Sequence, residues 1–145
     1  MKFYISILTV FLLISCSTTK PQNDEQAAKN EQIRAKNKQT ATVNEASQIT
    51  QTAQKLEKEG RGMDTYRKSS KPESQRECNA IMETEQKQVG ELDERIKKLP
   101  EPFNAQLSPI TADLNTCVSC AKTAFESCIK SRATTNGIIK QLFPQ

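Results

Sequence analysis

Between Cys78 and Leu99 the steps between like-facing positions alternate strictly between four and three residues: Cys78, Met82, Glu85, Val89, Leu92, Ile96, Leu99. That period puts all seven side chains on one face of an α-helix for about three heptads, a coiled-coil-like stripe interrupted only by Glu85. No stretch of the chain alternates with period two for long enough to make a strand. The pattern therefore predicts an all-α fold, an antiparallel helical hairpin or three-helix bundle.

Local signals place the helix ends. Thr42-Val43-Asn44-Glu45 has the form of a capping box and predicts a first helix from Thr42, with Ala46, Ile49, Ala53, Leu56 and Met63 on its narrow apolar face. Gly60 occupies one step of that stripe, and Gly60-Arg61-Gly62 is the expected stop. Ser70-Lys71-Pro72-Glu73 has the form of a second capping box, with Pro in the first turn, and predicts the start of the second helix; Leu99-Pro100-Glu101-Pro102 predicts its end. Ser108-Pro109 opens the third, whose stripe runs through Ile110, Leu114, Cys117, Ala121, Ala124 and Cys128 and is widened by Val118, Phe125 and Ile129. Asn136-Gly137 is the expected break before a short apolar end, Ile138 to Phe143.

Composition narrows the chemistry. The 145 residues include no histidine and no tryptophan, so triads with a histidine base, the HExxH zinc site and the C2H2 finger are all excluded. The four glycines (Gly60, Gly62, Gly90, Gly137) cannot write a P-loop or a GxGxxG turn. Beyond residue 15 there are 23 large apolar side chains in 130 residues, too few for a generous core. Glu83, Glu85, Glu91, Asp93 and Glu94 form no persuasive acid–base pair and read as a solvated helix side. Glu85 alone falls on the apolar stripe. Arg61, Arg67, Lys68 and Lys71 crowd residues 61–71 against one acid, Asp64, which reads as a solvated loop or as contact with an anionic surface.

The N-terminus carries an address. Met1-Lys2 is followed by an apolar run from Phe3 to Ile14, about the length of a signal-peptide core and too short to span a bilayer. Leu13-Ile14-Ser15-Cys16 closes that run, and a wholly polar segment follows. The sequence here resembles a bacterial lipoprotein precursor, Leu-Ile-Ser-Cys matching the lipobox read by type II signal peptidase. The resemblance implies cleavage between Ser15 and Cys16, a diacylglyceryl thioether on Cys16, and N-acylation of the same residue. It also implies a protein held to the outer membrane, facing the periplasm or the cell surface, because Ser17 stands where inner-membrane retention uses Asp. The chain ends in Gln145, without the terminal Lys by which some small lipoproteins are joined to peptidoglycan.

The expected organisation is thus a signal peptide at 1–15, an acylated cysteine and flexible polar tether at 16–41, and a small helical domain at 42–145. The tether contains one large apolar residue, Ile33, and cannot bury a face. Removing residues 1–15 leaves 20 basic against 17 acidic side chains, too mild an excess to point to nucleic acid.

Four cysteines remain once Cys16 is set aside, and an even count in an exported chain reads as a disulfide framework. On one unbroken helix, Cys117 and Cys128 would lie ~16 Å apart and Cys120 and Cys128 ~12 Å. A bridge tolerates a Cα separation of only about 4.4–6.8 Å. Cys117–Cys120 and Cys78–Cys128 are therefore the expected bridges. Cys117-Val118-Ser119-Cys120 also has CxxC form, but lies inside a helix and outside any βαβ unit, which weakens a redox reading. A Cys₄ zinc site is disfavoured by the oxidising compartment.

The function expected from these features is non-enzymatic, with no catalytic residue, metal or cofactor. It is a membrane-anchored envelope lipoprotein that contacts another envelope protein. The alternatives are an inhibitor or exclusion factor acting on an envelope hydrolase or a phage or plasmid system, and thiol–disulfide exchange through Cys117 and Cys120.

Overall fold

The computed structural model describes residues 22–144. The lipobox, Ser15 and Cys16 lie outside them. Six helices follow in order: α1 (Gln22–Gly62), α2 (Asp64–Lys68), α3 (Pro72–Lys97), α4 (Phe103–Leu107), α5 (Pro109–Cys117) and α6 (Ala124–Leu142). No strand occurs among the described residues. The chain divides into two units, residues 1–35 and 36–145. In the first, described residues 25–35 are helical and exposed throughout, Ile33 included, and Lys29 pairs with Glu25 one turn away.

The second unit is an antiparallel α-helical bundle stapled by two disulfides. Its core joins Ala46, Ile49, Ala53 and Leu56 of α1 to Val89, Leu92 and Ile96 of α3. Leu99, Leu107, Ile110, Leu114, Val118 and Ile138 complete it, with Phe103, Leu142 and Phe143 packed at its edge. The residues expected on the first and second stripes are buried apart from Met82, which is half-buried. Antiparallel order shows in the polar contacts between helices. Arg95 of α3 donates to Glu45 of α1 at 2.8 Å, and Thr111 of α5 donates to Asp93 of α3 at 3.0 Å.

Several expected boundaries are corrected. Helix α1 does not start at Thr42: residues 22–41 of the expected tether are already helical, and the Thr42 hydroxyl donates to the Lys38 carbonyl inside the helix. The Ser70 capping box does not form either. Lys71 is the N-cap of α3 without a side-chain bond, while Pro72 takes the first helical position, where its missing N–H costs nothing. Ser108 is itself helical and donates back to Asn104 O, because the single turn α4 runs into it. Gly137 does not break α6, since Thr135 and Ile138 on either side of it are both buried in the bundle.

The largest correction concerns the third helix. It is two helices, α5 and α6, folded against each other across residues 118–123. The bridges are Cys78–Cys120 and Cys117–Cys128, with Cα separations of 6.0 and 4.5 Å, in place of Cys78–Cys128 and Cys117–Cys120. The distance argument fails because the chain reverses between Cys117 and Cys128 without a glycine or proline. Phe125 and Ile129 accordingly leave the stripe and stay exposed, as does Ala121 in the connection. The buried face of α6 is Ala124, Cys128, Ser131, Thr135 and Ile138.

Candidate functional site

The chemistry-bearing residues converge where α1, α2 and the α5–α6 connection meet. The connection reverses because another group takes over its carbonyls. At a helix end the last carbonyls lack intrahelical partners. Here the Arg67 guanidinium, from α2, donates through Nε to Ser119 O at 2.8 Å and through Nη2 to Cys117 O at 2.5 Å. Ser119 Oγ closes the turn locally, donating to Thr116 O and accepting the Ala121 N–H. Arg67 is only 4% exposed, and its Nη1 has no hydrogen-bond partner among the described residues. Burial pushes its pKa below the usual arginine value, and the nearby Asp64 carboxylate works against that shift. A cation at the C-terminal end of α5 also suits the helix dipole.

The two bridges fix the same junction from opposite sides. Cys117–Cys128 ties the end of α5 to the first turns of α6, and both cysteines are fully buried. Cys78–Cys120 ties the connection to the first part of α3, with Cys120 half-buried. Closing these loops stabilises the fold by ~3 and ~4 kcal/mol respectively in the chain-entropy picture. Helix α1 lies directly on the first bridge at Gly60. An added Cβ there would fall 2.5 Å from Cys117 Sγ, 3.0 Å from Cys117 O and 3.2 Å from Cys128 Sγ. Gly60 is thus required by close approach, in an ordinary helical conformation.

Cys117 and Cys120 are neighbours in sequence but partners of different residues. The CxxC is therefore not a dithiol pair that opens and closes on itself. All four cysteines being bridged, none offers a thiolate to a zinc ion.

A second polar pair, a buried Glu85 beside a half-buried Glu59, lies between α1 and α3. Glu85, expected to interrupt the apolar stripe, is buried against Glu59, and each carboxylate keeps one buried oxygen without a partner. Burial first, then the hydrogen bond and the charge of Glu59, push the Glu85 pKa up to about 7, while Lys55 opposes the rise. Two adjacent carboxyls in a poorly solvated site share a proton more readily than they ionise together. Asp93, on the same helix, behaves oppositely. Its pKa is lowered by hydrogen bonds from Lys97 and Thr111.

Arg67, Gly60 and the Glu59–Glu85 pair were not singled out as site residues from sequence. Gly60 carried a usable signal, since it replaces an apolar residue in the α1 stripe. Arg67 carried only the signal of the basic segment 61–71, which read as a solvated loop or an anionic contact and not as a buried cation at a helix end. No described helix is long and apolar enough to cross a membrane. Comparison with protein-family patterns, with curated proteins and with solved structures finds no match.

Proposed function

We propose that this chain is a lipid-anchored envelope protein whose small helical domain acts without catalysis, by contacting another envelope protein. The observation that carries the reading is the lipobox Leu13-Ile14-Ser15-Cys16 at the end of an apolar run, in a chain of five cysteines whose other four pair with one another. Two disulfides in a small domain fit an oxidising compartment outside the cytoplasm. The leftover cysteine is the one the anchor needs. Acylation there would give lasting attachment, since each buried methylene contributes ~0.8 kcal/mol and two chains already suffice.

The test is growth of a bacterium expressing the full chain with an isotope-labelled fatty acid, followed by mass analysis of the purified protein. The reading expects label on a Cys16-headed chain in the outer membrane and none in Cys16→Ala. A chain released by osmotic shock, or one carrying an unmodified Cys16 thiol, contradicts it.

A further inference from the structure

We propose that residues 46–62 of α1 form a proton-controlled latch, closed on the stapled helices while Glu59 and Glu85 share a proton and swinging out about Met63 when that proton is lost. The latch does not depend on the lipid anchor. The bridges join α3 to the α5–α6 connection and α5 to α6, whereas α1 contains no cysteine. Its side-chain ties to the other helices, from Arg95 to Glu45 at 2.8 Å and from Gln54 to Asn136 at 3.4 Å, are at most partly buried. The seam with α6 is itself polar. Between Asn136, which meets Gln54, and Cys128, which lies beside Gly60, the buried face of α6 carries Ser131 and Thr135. Neither hydroxyl has a partner among the described residues, and such groups cost stability. Helix α2 is fastened on its own account, by Arg67 to the carbonyls of Cys117 and Ser119. The break at Met63 therefore lets α1 leave while α2 stays.

The controlling pair sits across the α1–α3 seam. Glu85 is only 7% exposed, and one oxygen of Glu85 and one of Glu59 are buried without a hydrogen-bond donor among the described residues. A proton held between the two carboxyls supplies the missing donor, and its loss sets two like charges face to face. Both groups that act on Glu85 lie on α1: Glu59 itself and Lys55, which is already paired with Glu59 at 3.6 Å. One turn away on α3, Ile81, Met82, Gln88 and Val89 are uncharged. On the other elements Asp64 is paired with Lys68, Arg67 with backbone carbonyls, and Asp113 with Lys130. Glu126, Arg132 and Lys140 of α6 are exposed, and α4 has no ionisable side chain. Nothing there replaces the proton. Once α1 leaves, Leu92 and Ile96 of α3 lose the apolar face that covers them.

The experiment is hydrogen exchange of the full chain in a non-ionic detergent at pH 6 and pH 8, read by mass spectrometry with labelling times scaled for the intrinsic rate. Residues 46–60 should exchange through an opening about tenfold or more easier than that of α5 and α6 at both pH values. From pH 6 to pH 8 that opening should become about tenfold easier, the ratio set by a Glu85 pKa of about 7 in the closed form against 4.5 in the open one. Glu85→Gln, whose amide supplies a permanent donor, should remove the pH dependence, and Glu59→Gln, at a half-buried position, should about halve it. Glu91→Gln, on an exposed side of α3, should behave as the wild type. Ionisation of Glu85 eases global unfolding too, so the gap between α1 and the stapled helices is the signature of the latch. Equal protection of α1, α5 and α6 overturns it, because the domain then opens only as a whole. So does an α1 whose opening ignores pH, or a Glu85→Gln protein that keeps the wild-type pH dependence.

Discussion

Replacing Gly60 by alanine tests the junction at its tightest point. In an ordinary helix interior the exchange favours folding by about 1 kcal/mol, because alanine loses less backbone freedom than glycine. At Gly60 the new methyl would lie 2.5 Å from Cys117 Sγ, well inside contact distance. The sulfur cannot swing away, since it is bonded to Cys128, and the Cys117 carbonyl beside it is held by Arg67. Overpacking of this kind costs typically ~1–3 kcal/mol, so the cost at Gly60 should outweigh the propensity gain. Gly90 supplies the matched control. It is an exposed residue within α3 whose added Cβ meets nothing within 4 Å. Urea unfolding followed by helical circular dichroism should show Gly90→Ala stabilised by ~1 kcal/mol and Gly60→Ala destabilised by ~1–2 kcal/mol. In a Cys117→Ala/Cys128→Ala background the Gly60→Ala penalty should shrink or reverse, because the obstructing sulfurs are gone. A Gly60→Ala protein as stable as Gly90→Ala with both bridges intact would refute the packing of α1 on this disulfide.

Further expectations follow from the polar groups. Because the folded-state pKa of Glu85 is raised, the folded protein binds more protons than the unfolded chain between the ordinary value of 4.5 and about 7. Its contribution to stability is full below that window and is lost as pH rises through it. Glu85→Gln should flatten this slope and raise the melting temperature at pH 8, and parallel wild-type and variant profiles would contradict the assignment. Arg67→Gln should cost ~2–4 kcal/mol in denaturant unfolding, since it orphans the carbonyls of Cys117 and Ser119. Glu45→Gln, which removes a partly exposed ion pair to Arg95, should change stability by only ~0.5 kcal/mol. Under limited reduction without denaturant, Cys78 and Cys120 should be alkylated before Cys117 and Cys128, because only Cys120 among the four is more than marginally exposed.

The apolar stripes of α1 and α3 were legible in the sequence because their period is carried by Ile49, Leu56, Val89, Leu92 and Ile96, residues with little reason to sit elsewhere. The reversal at 118–123 was not legible. Val118-Ser119-Cys120-Ala121-Lys122-Thr123 contains no helix breaker, and a helix continuing through it satisfies every local rule. What stops it is tertiary: Arg67, some fifty residues upstream, takes the carbonyls a continuing helix would use, and two bridges hold the turn. The 4-3 spacing from Ile110 to Cys128 was misleading for the same reason. Its two halves belong to different helices, and Cys117 and Cys128 meet because they face each other across a hairpin. The capping boxes at Thr42 and Ser70 failed more simply, the first by twenty residues and the second by one. A helix already running through Thr42 leaves it no free N-terminus to cap, and Pro72 sets the start of α3 on its own.

The α5–α6 hairpin stands or falls with the pairing of the cysteines, and peptide mapping of the unreduced protein reads that pairing. Trypsin cuts after Arg76, Lys87, Lys98, Lys122 and Lys130, which leaves Cys78 and Cys128 on separate peptides and keeps Cys117 and Cys120 together on the peptide 99–122. Bridges Cys78–Cys120 and Cys117–Cys128 give one species joining three peptides, 77–87, 99–122 and 123–130. Fragmentation between Val118 and Ser119 should then leave Cys117 with Cys128 and Cys120 with Cys78. A two-peptide species joining 77–87 directly to 123–130, with 99–122 closed on itself, would restore a continuous third helix and contradict the hairpin of α5 and α6.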